Sequence, residues 1–382
     1  MAAPSRPEPY RIAVPQEVLD DLRRRLEATR WPDPIGPDDW TAGAPLRTVR
    51  ALADHWGNGF DWRGHEVALN RWPQFRVRLD DYDLHVLHVR GTGPDPLPLV
   101  LTHGWPSSFF EFTKVLGPLT DPAAYGGDPA DAFDVVVPSV PGYPFSQAPD
   151  RTGSWPEVPG LWRRLMTDVL GYPRFAAAGG DIGAIVTTAL GAQHADVVTA
   201  IQVQAVFGST ALGDPTLADD ERRFLEERVA WAQDEGAYAH QQATRPRTLA
   251  YGLSDSPAGL LAWIVEKFRA WSDGGGDLLR SFTPEDLLVT PTLYWAANSI
   301  GASFRPYADT GEIVAGSSLP YVSVPVGVAA YPGDRPVPVR AYAERHYNVQ
   351  RFTVLPRGGH FAALEVPEVW ISETRAFFRQ VR

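Results

Sequence analysis

From Pro96 onward the chain repeats one device, a short apolar run fringed by glycine or proline. Residues 97–102, 133–138, 175–178, 197–203, 324–330 and 352–355 are such runs, and helical stretches separate several of them. Strands that are apolar without alternation are covered on both faces. Helical spacers supply the crossovers, so the pattern predicts a doubly wound, mostly parallel α/β sheet. Between the fourth and fifth runs lies a long insertion, residues 208–319. It carries helical stretches at 219–233 and 258–271 and the loop Asp273-Gly274-Gly275-Gly276-Asp277. An insertion of that size at one end of a sheet is expected to form a cap over the site.

The first 95 residues read differently. Pro15 opens a helix to about residue 28, with Val18, Leu19, Leu22 and Leu26 on one face. The proline-broken loop Trp31-Pro32-Asp33-Pro34 follows, then a second helix near 46–56. Residues 75–79 and 84–90 alternate apolar and polar around 80–83, the pattern of a hairpin. The expected organisation is therefore an N-terminal segment with the first hairpin (1–95), a core split between 96–207 and 320–382, and a helical cap (208–319).

Composition narrows the chemistry. A net charge of −11 argues against a sequence-independent nucleic-acid binder, which needs a positive field, and favours a small uncharged substrate. The absence of cysteine excludes disulfides, thiolate metal sites and a cysteine nucleophile. The first eleven residues are polar and proline-rich, with no apolar signal core. No stretch reaches the roughly 18 apolar residues of a membrane span, so a cytoplasmic, soluble protein is expected. The sequence leaves room for a homodimer.

The informative stretch is Phe175-Ala-Ala-Ala-Gly-Gly-Asp-Ile-Gly-Ala184, where a strand ends at small residues and a helix follows. Asp181 stands at the apex, flanked by Gly179 and Gly183. This is the small-x-nucleophile-x-small pattern of a nucleophile elbow, with Asp where esterases carry Ser. Alone, Asp181 reads equally well as a helix cap after a tight turn. The dinucleotide pattern G-x-G-x-x-G is not met. His103-Gly104-Trp105-Pro106, at the end of the 97–102 run, adds weight. In a fold with this elbow, the loop there supplies one oxyanion-hole amide and the residue after the nucleophile supplies the other. Those donors would be Trp105 and Ile182, while His103 itself reads as structural.

A base is needed as well. His360, in Arg357-Gly358-Gly359-His360-Phe361, follows the last apolar run and precedes a C-terminal helix near 367–379. Asp334, in Tyr331-Pro332-Gly333-Asp334, follows the preceding run and is the expected orienting acid. The order nucleophile, acid, base is that of the fold. His346 is the second candidate base, in a charged helix expected to be exposed.

A carboxylate nucleophile changes the reaction. Asp is already ionised at neutral pH (ordinary pKa about 3.9) and can attack saturated carbon directly. The product is an ester on the enzyme, hydrolysed by water that His360 activates. Epoxides and alkyl halides are the two obvious substrates. A Trp directly after the nucleophile is the dehalogenase pattern, and Ile182 departs from it. An epoxide oxygen needs a proton donor, and the cap offers Tyr238, Tyr251, Tyr294 and Tyr307, among which composition does not choose. A non-catalytic binding protein of the same fold is the rival from another class, yet every catalytic position is filled.

The chain resembles the microsomal-type epoxide hydrolases and their soluble bacterial relatives, including juvenile hormone epoxide hydrolases, over nearly its whole length. The resemblance is carried by Pro9-Tyr10-Arg11-Ile12, His103-Gly104-Trp105-Pro106-Ser107-Ser108, Gly179-Gly180-Asp181-Ile182-Gly183 and Arg357-Gly358-Gly359-His360-Phe361-Ala362-Ala363. It implies an α/β-hydrolase fold with a helical cap, an N-terminal wrapping segment and no cofactor or metal. It also implies that Tyr238, ahead of Thr244-Arg245-Pro246, and Tyr307, closing Ser303-Phe304-Arg305-Pro306-Tyr307, hold and protonate the oxygen of an apolar or aromatic epoxide. A soluble member without the membrane anchor of the vertebrate proteins is expected. With only Lys114 and Lys267 as lysines, the composition resembles actinomycete proteins, among which relatives occur in natural-product clusters of the enediyne type.

Overall fold

The structure is a computed structural model that describes residues 6–33, 35–147, 150–151, 153–310 and 319–382. Pro34 of the proline-broken loop, the first five residues and most of the end of the expected cap lie outside the described residues.

Among the described residues nine strands form one sheet: β1 (Glu8–Tyr10), β2 (Gln74–Leu79), β3 (Tyr82–Val89), β4 (Leu97–Thr102), β5 (Phe133–Pro138), β6 (Phe175–Gly179), β7 (Val198–Val203), β8 (Val322–Ala330) and β9 (Tyr347–Val354). Their spatial order is β1-β2-β3-β5-β4-β6-β7-β8-β9. All pairings from β5 through β9 are parallel, whereas β1, β2 and β3 join antiparallel at one edge. The expected α/β-hydrolase sheet is therefore present, with six of its strands matching the six apolar runs. Every residue of β5 and β6 is buried, as strands covered on both faces must be.

The N-terminal segment wraps the body through paired polar contacts. Asn70 accepts the Ile12 N–H at 2.9 Å and donates to the Ile12 carbonyl at 2.7 Å. The helices Gln16–Glu27 and Leu46–Asn58 turn Leu19, Leu22, Leu26, Leu52 and Trp56 inward. Trp56 satisfies its buried indole N–H on the Thr292 hydroxyl at 2.8 Å, so the segment is keyed to the insertion.

The insertion is helical: Asp219–Glu235, Ala237–Thr244, Pro246–Asp255, Pro257–Ala270, Leu278–Ser281, Pro284–Ala297 and Arg305–Thr310. Prolines at the first turns of Pro246–Asp255, Pro257–Ala270 and Pro284–Ala297 fix where these helices begin. No helix among the described residues is long and apolar enough to cross a membrane.

Candidate active site

Asp181 sits on the turn from β6 into the helix Asp181–Gln193, with φ at +50°. A residue with a Cβ rarely adopts that left-handed backbone, and the strain presents the carboxylate at the apex. The small flanking residues have a steric cause. A Cβ on Gly179 would stand 2.6 Å from the Gly183 carbonyl, and one on Gly183 would collide with the Thr102 carbonyl oxygen of β4.

The two carboxylate oxygens of Asp181 meet different surroundings. Oδ1 accepts the Trp105 N–H at 2.8 Å. The Ile182 N–H also hydrogen-bonds the carboxylate, so both amides expected to form an oxyanion hole converge on it. Oδ2 faces Nε2 of His360 across 3.5 Å. Burial raises the Asp181 pKa, and the His360 charge and the two amides oppose that rise.

His360 stands on the loop after β9, and its Nδ1 lies 2.9 Å from Oδ1 of Asp334, which follows β8. A carboxylate only accepts, so the proton between them is on Nδ1. Burial alone would pull the imidazole pKa down. Asp334, then Asp181 and Glu111, outweigh burial and lift it to about 9. In the resting site His360 is therefore an imidazolium at neutral pH.

The glycine-rich loop of the insertion braces this histidine. The His360 N–H donates to the Trp271 carbonyl at 2.8 Å. The Gly358 N–H donates to Oδ2 of Asp273 at 2.9 Å, and the Asp273 N–H to Oε2 of Glu365 at 3.0 Å.

Of the four tyrosines in the insertion, two stand together against the Trp105 ring. The Tyr238 and Tyr307 rings lie 5.8 Å apart, and both pack on Trp105, at 5.0 Å stacked and 6.2 Å edge-on respectively. The Tyr307 hydroxyl is buried, and the two phenols hydrogen-bond each other. Burial raises both phenol pKa values, and the Asp181 charge adds to the rise, so both stay protonated donors. Tyr294 instead donates to the Ser107 carbonyl at 2.9 Å and serves packing. Tyr251 is 73% exposed on the outside.

His103 is buried, its Nε2 accepts the Val140 N–H at 3.1 Å, and burial pushes its pKa down to about 4. It is a neutral strut, as its structural reading expects. His346, expected to be exposed, is half-buried and lies 3.1 Å from the Thr210 hydroxyl, because the chain after β7 folds over it.

Sequence reasoning missed Glu111 and Glu365. Glu111 is 5% exposed, and burial lifts its pKa to about 7 against the lowering effect of His360. Glu365 is lifted to about 7 for the same reason. A lone carboxylate inside Phe109-Phe110-Glu111-Phe112 was the signal available. Among the described residues no His, Asp and Glu group is arranged to hold a metal ion.

The pair is enclosed, with Asp181 and His360 side chains 18% and 13% exposed. Two clefts open at the surface, of about 360 Å³ beside Trp31 and about 820 Å³ beside Trp295, and neither is lined by these groups.

A sheet of this order, with a strained acid at the elbow and a histidine–aspartate pair beside it, defines an α/β hydrolase. The alpha/beta hydrolase family model matches residues 99–373, and the model for the epoxide hydrolase N terminus matches residues 7–112. A protein of Stigmatella aurantiaca with a provisional epoxide hydrolase name is 40% identical over 98% of this chain and 85% of its own length. Epoxide hydrolase 1 of Oryctolagus cuniculus is 31% identical over 94% of this chain and 86% of its own length. The solved Aspergillus niger epoxide hydrolase superposes with a TM-score of 0.86 at 29% identity, covering 99% of this chain and 97% of its own. The chain belongs to the epoxide hydrolase family, on its microsomal and juvenile hormone branch, and is an enzyme of that class.

Proposed function

We propose that the chain opens an epoxide to a vicinal diol through an ester on Asp181, and that water activated by His360 and Asp334 then hydrolyses it. The asymmetry of the Asp181 carboxylate supports this reading most directly. Oδ1 is held by an amide at 2.8 Å while Oδ2 is turned to His360. The less encumbered oxygen attacks a ring carbon, the carbon–oxygen bond breaks, and Tyr238 or Tyr307 protonates the leaving alkoxide. A buried phenol does this where bulk water is excluded.

Ester formation cancels the Asp181 charge. His360 then loses one of the anions that keep it protonated and passes its proton to the tyrosinate. It thereby becomes the base for water when the second step needs one. Water attacks the ester carbonyl carbon, the charge collects on the oxygen bound by Trp105 and Ile182, and collapse expels the diol. The rings of Trp105, Trp271 and Tyr238 around the nucleophile favour an apolar or aromatic substrate. A biosynthetic setting of the enediyne type rests on the arginine-rich composition alone, and loss of a metabolite on gene deletion is its test.

Asp181→Ala is expected to abolish turnover, whereas His360→Gln is expected to form the ester and hold it. Intact mass of the His360 variant after exposure to reactive epoxides should show one added substrate mass. Halide release from a haloalkane panel, with no adduct from any epoxide, would transfer the chain to the dehalogenase reading.

A further inference from the structure

Tyr143 lies on the loop after β5, in Pro141-Gly142-Tyr143-Pro144. Its hydroxyl is fully buried and has no hydrogen-bond partner. The ring is nonetheless firmly held, edge-on to His103 at 4.9 Å and tilted against Tyr294 at 6.2 Å. The Tyr143 N–H donates to the Val140 carbonyl at 2.9 Å, and the Val140 N–H is itself tied to His103. Gly142, at φ +89°, lets the Ala302 carbonyl of the cap approach to 2.6 Å of where a Cβ would stand. Core and cap thus fix the loop from both sides.

The orphaned hydroxyl feels the site. Burial raises its pKa well above the ordinary phenol value, and Tyr294, Asp181 and Tyr238 are its electrostatic neighbours. It acts in turn on Tyr307. A buried hydroxyl without a partner is destabilising unless a ligand supplies the missing bond.

Topology says which ligand part that is. β5 lies on one flank of β6 and β9 on the other, so the loop that carries Tyr143 and the loop that carries His360 follow strands on opposite sides of the elbow strand. The hydrolytic water belongs beside the base. What remains on the Tyr143 flank is the substituent carried by the epoxide ring.

Resting on the epoxide hydrolase reading, we propose that Tyr143 is a specificity-determining residue that donates a hydrogen bond to an oxygen on the substrate's substituent. The substrate class is then epoxides with an ether, hydroxyl or carbonyl oxygen close to the ring. A hydrocarbon substituent leaves the hydroxyl unpaired, and a site built to pair a polar group discriminates against the analogue that lacks it.

The test compares butyl glycidyl ether with 1,2-epoxyoctane, in which a methylene replaces the ether oxygen. Tyr143→Phe is expected to lower kcat/KM for the ether roughly tenfold more than for the hydrocarbon, mostly through KM. Comparing variant with wild type cancels the intrinsic reactivity difference between the two epoxides. Because the hydroxyl has no protein partner and its burial is unfavourable, the variant's Tm should equal or exceed that of wild type. Equal losses on both substrates, with or without a fall in Tm, would overturn the proposal and leave the epoxide hydrolase reading intact. A wild type inert on both epoxides and on the wider epoxide panel would instead overturn that reading, and the proposal with it.

Discussion

Replacing Asp334 by Asn keeps the shape of the group that receives the His360 Nδ1–H and deletes its charge. The magnitude follows from the site. Against the opposing effect of burial, Asp334 leads the groups that lift His360 from 6.5 to about 9. Losing most of that lift withdraws on the order of 3 kcal/mol of imidazolium stabilisation at about 1.4 kcal/mol per pKa unit. A general base expresses only part of its basicity in the transition state, so ester hydrolysis should slow by about 10². The alkylation step needs the Asp181 charge and a phenol proton, and neither depends on a neutral His360. It should change by no more than about threefold, the size of a small electrostatic adjustment in a site of this polarity. Rapid mixing with excess epoxide, quenched for intact mass, resolves the two steps. Tryptophan emission offers a parallel signal because the Trp271 ring lies 4.9 Å from His360. The variant should accumulate nearly stoichiometric ester within the mixing series and release it slowly. If alkylation and hydrolysis slow by the same factor and no ester builds up, Asp334 acts on the whole site rather than on the base, and the reasoning fails.

Two further outcomes follow from the packing and the charges. Glu111 has its carboxyl pKa raised from 4.5 to about 7 by burial, so the folded state binds this proton more tightly than the unfolded chain. Stability attributable to it is full below about pH 4.5 and is lost as pH rises towards 7, a loss of about 3 kcal/mol. Glu111→Gln should therefore gain in Tm over wild type between pH 5 and 8 by about that free energy, and a pH-independent difference would contradict the assignment. Gly183→Ala would drive a methyl into the Thr102 carbonyl and should lose at least about 1–3 kcal/mol of stability along with the alkylation burst. Gly213→Ala, with nothing within 4 Å of the added carbon, should do neither.

The parallel strands were legible because burial on both faces writes itself as an unbroken apolar run. β9 was found only in part. It begins at Tyr347 rather than 352 because its first half, Asn348 to Arg351, lies at the sheet edge and keeps polar residues. β1 has three residues and no pattern of its own, and exists because β2 offers it an edge. The short helix Trp62–Leu69 was missed for a similar reason, since it turns only Trp62 and Leu69 inward. In the cap, the helix Pro284–Ala297 is buried nearly all round from Asp286 to Tyr294 and carries Pro291 inside, so no 3.6-residue stripe betrays it.

That Asp181, Asp334 and His360 would stand together could be expected from the chain because each follows a strand of the sheet. Which tyrosines would pack on Trp105 could not be read from composition. Tyr294 and Tyr307 are both buried, and what separates them is that one phenol is tied to the Ser107 carbonyl while the other meets Tyr238. Glu111 escaped because its importance arises from His360, a residue far along the chain that arrives from the other flank of the sheet.

The central claim is that a carboxylate of the protein, and not water, first bonds to the substrate carbon. A single turnover in heavy-oxygen water, with enzyme in excess over epoxide, tests it directly. The label should enter the Asp181 carboxylate and be recovered by peptide mass, while the first diol carries none. Heavy oxygen in that first diol, with Asp181 unlabelled, would mean direct attack by water and contradict the account.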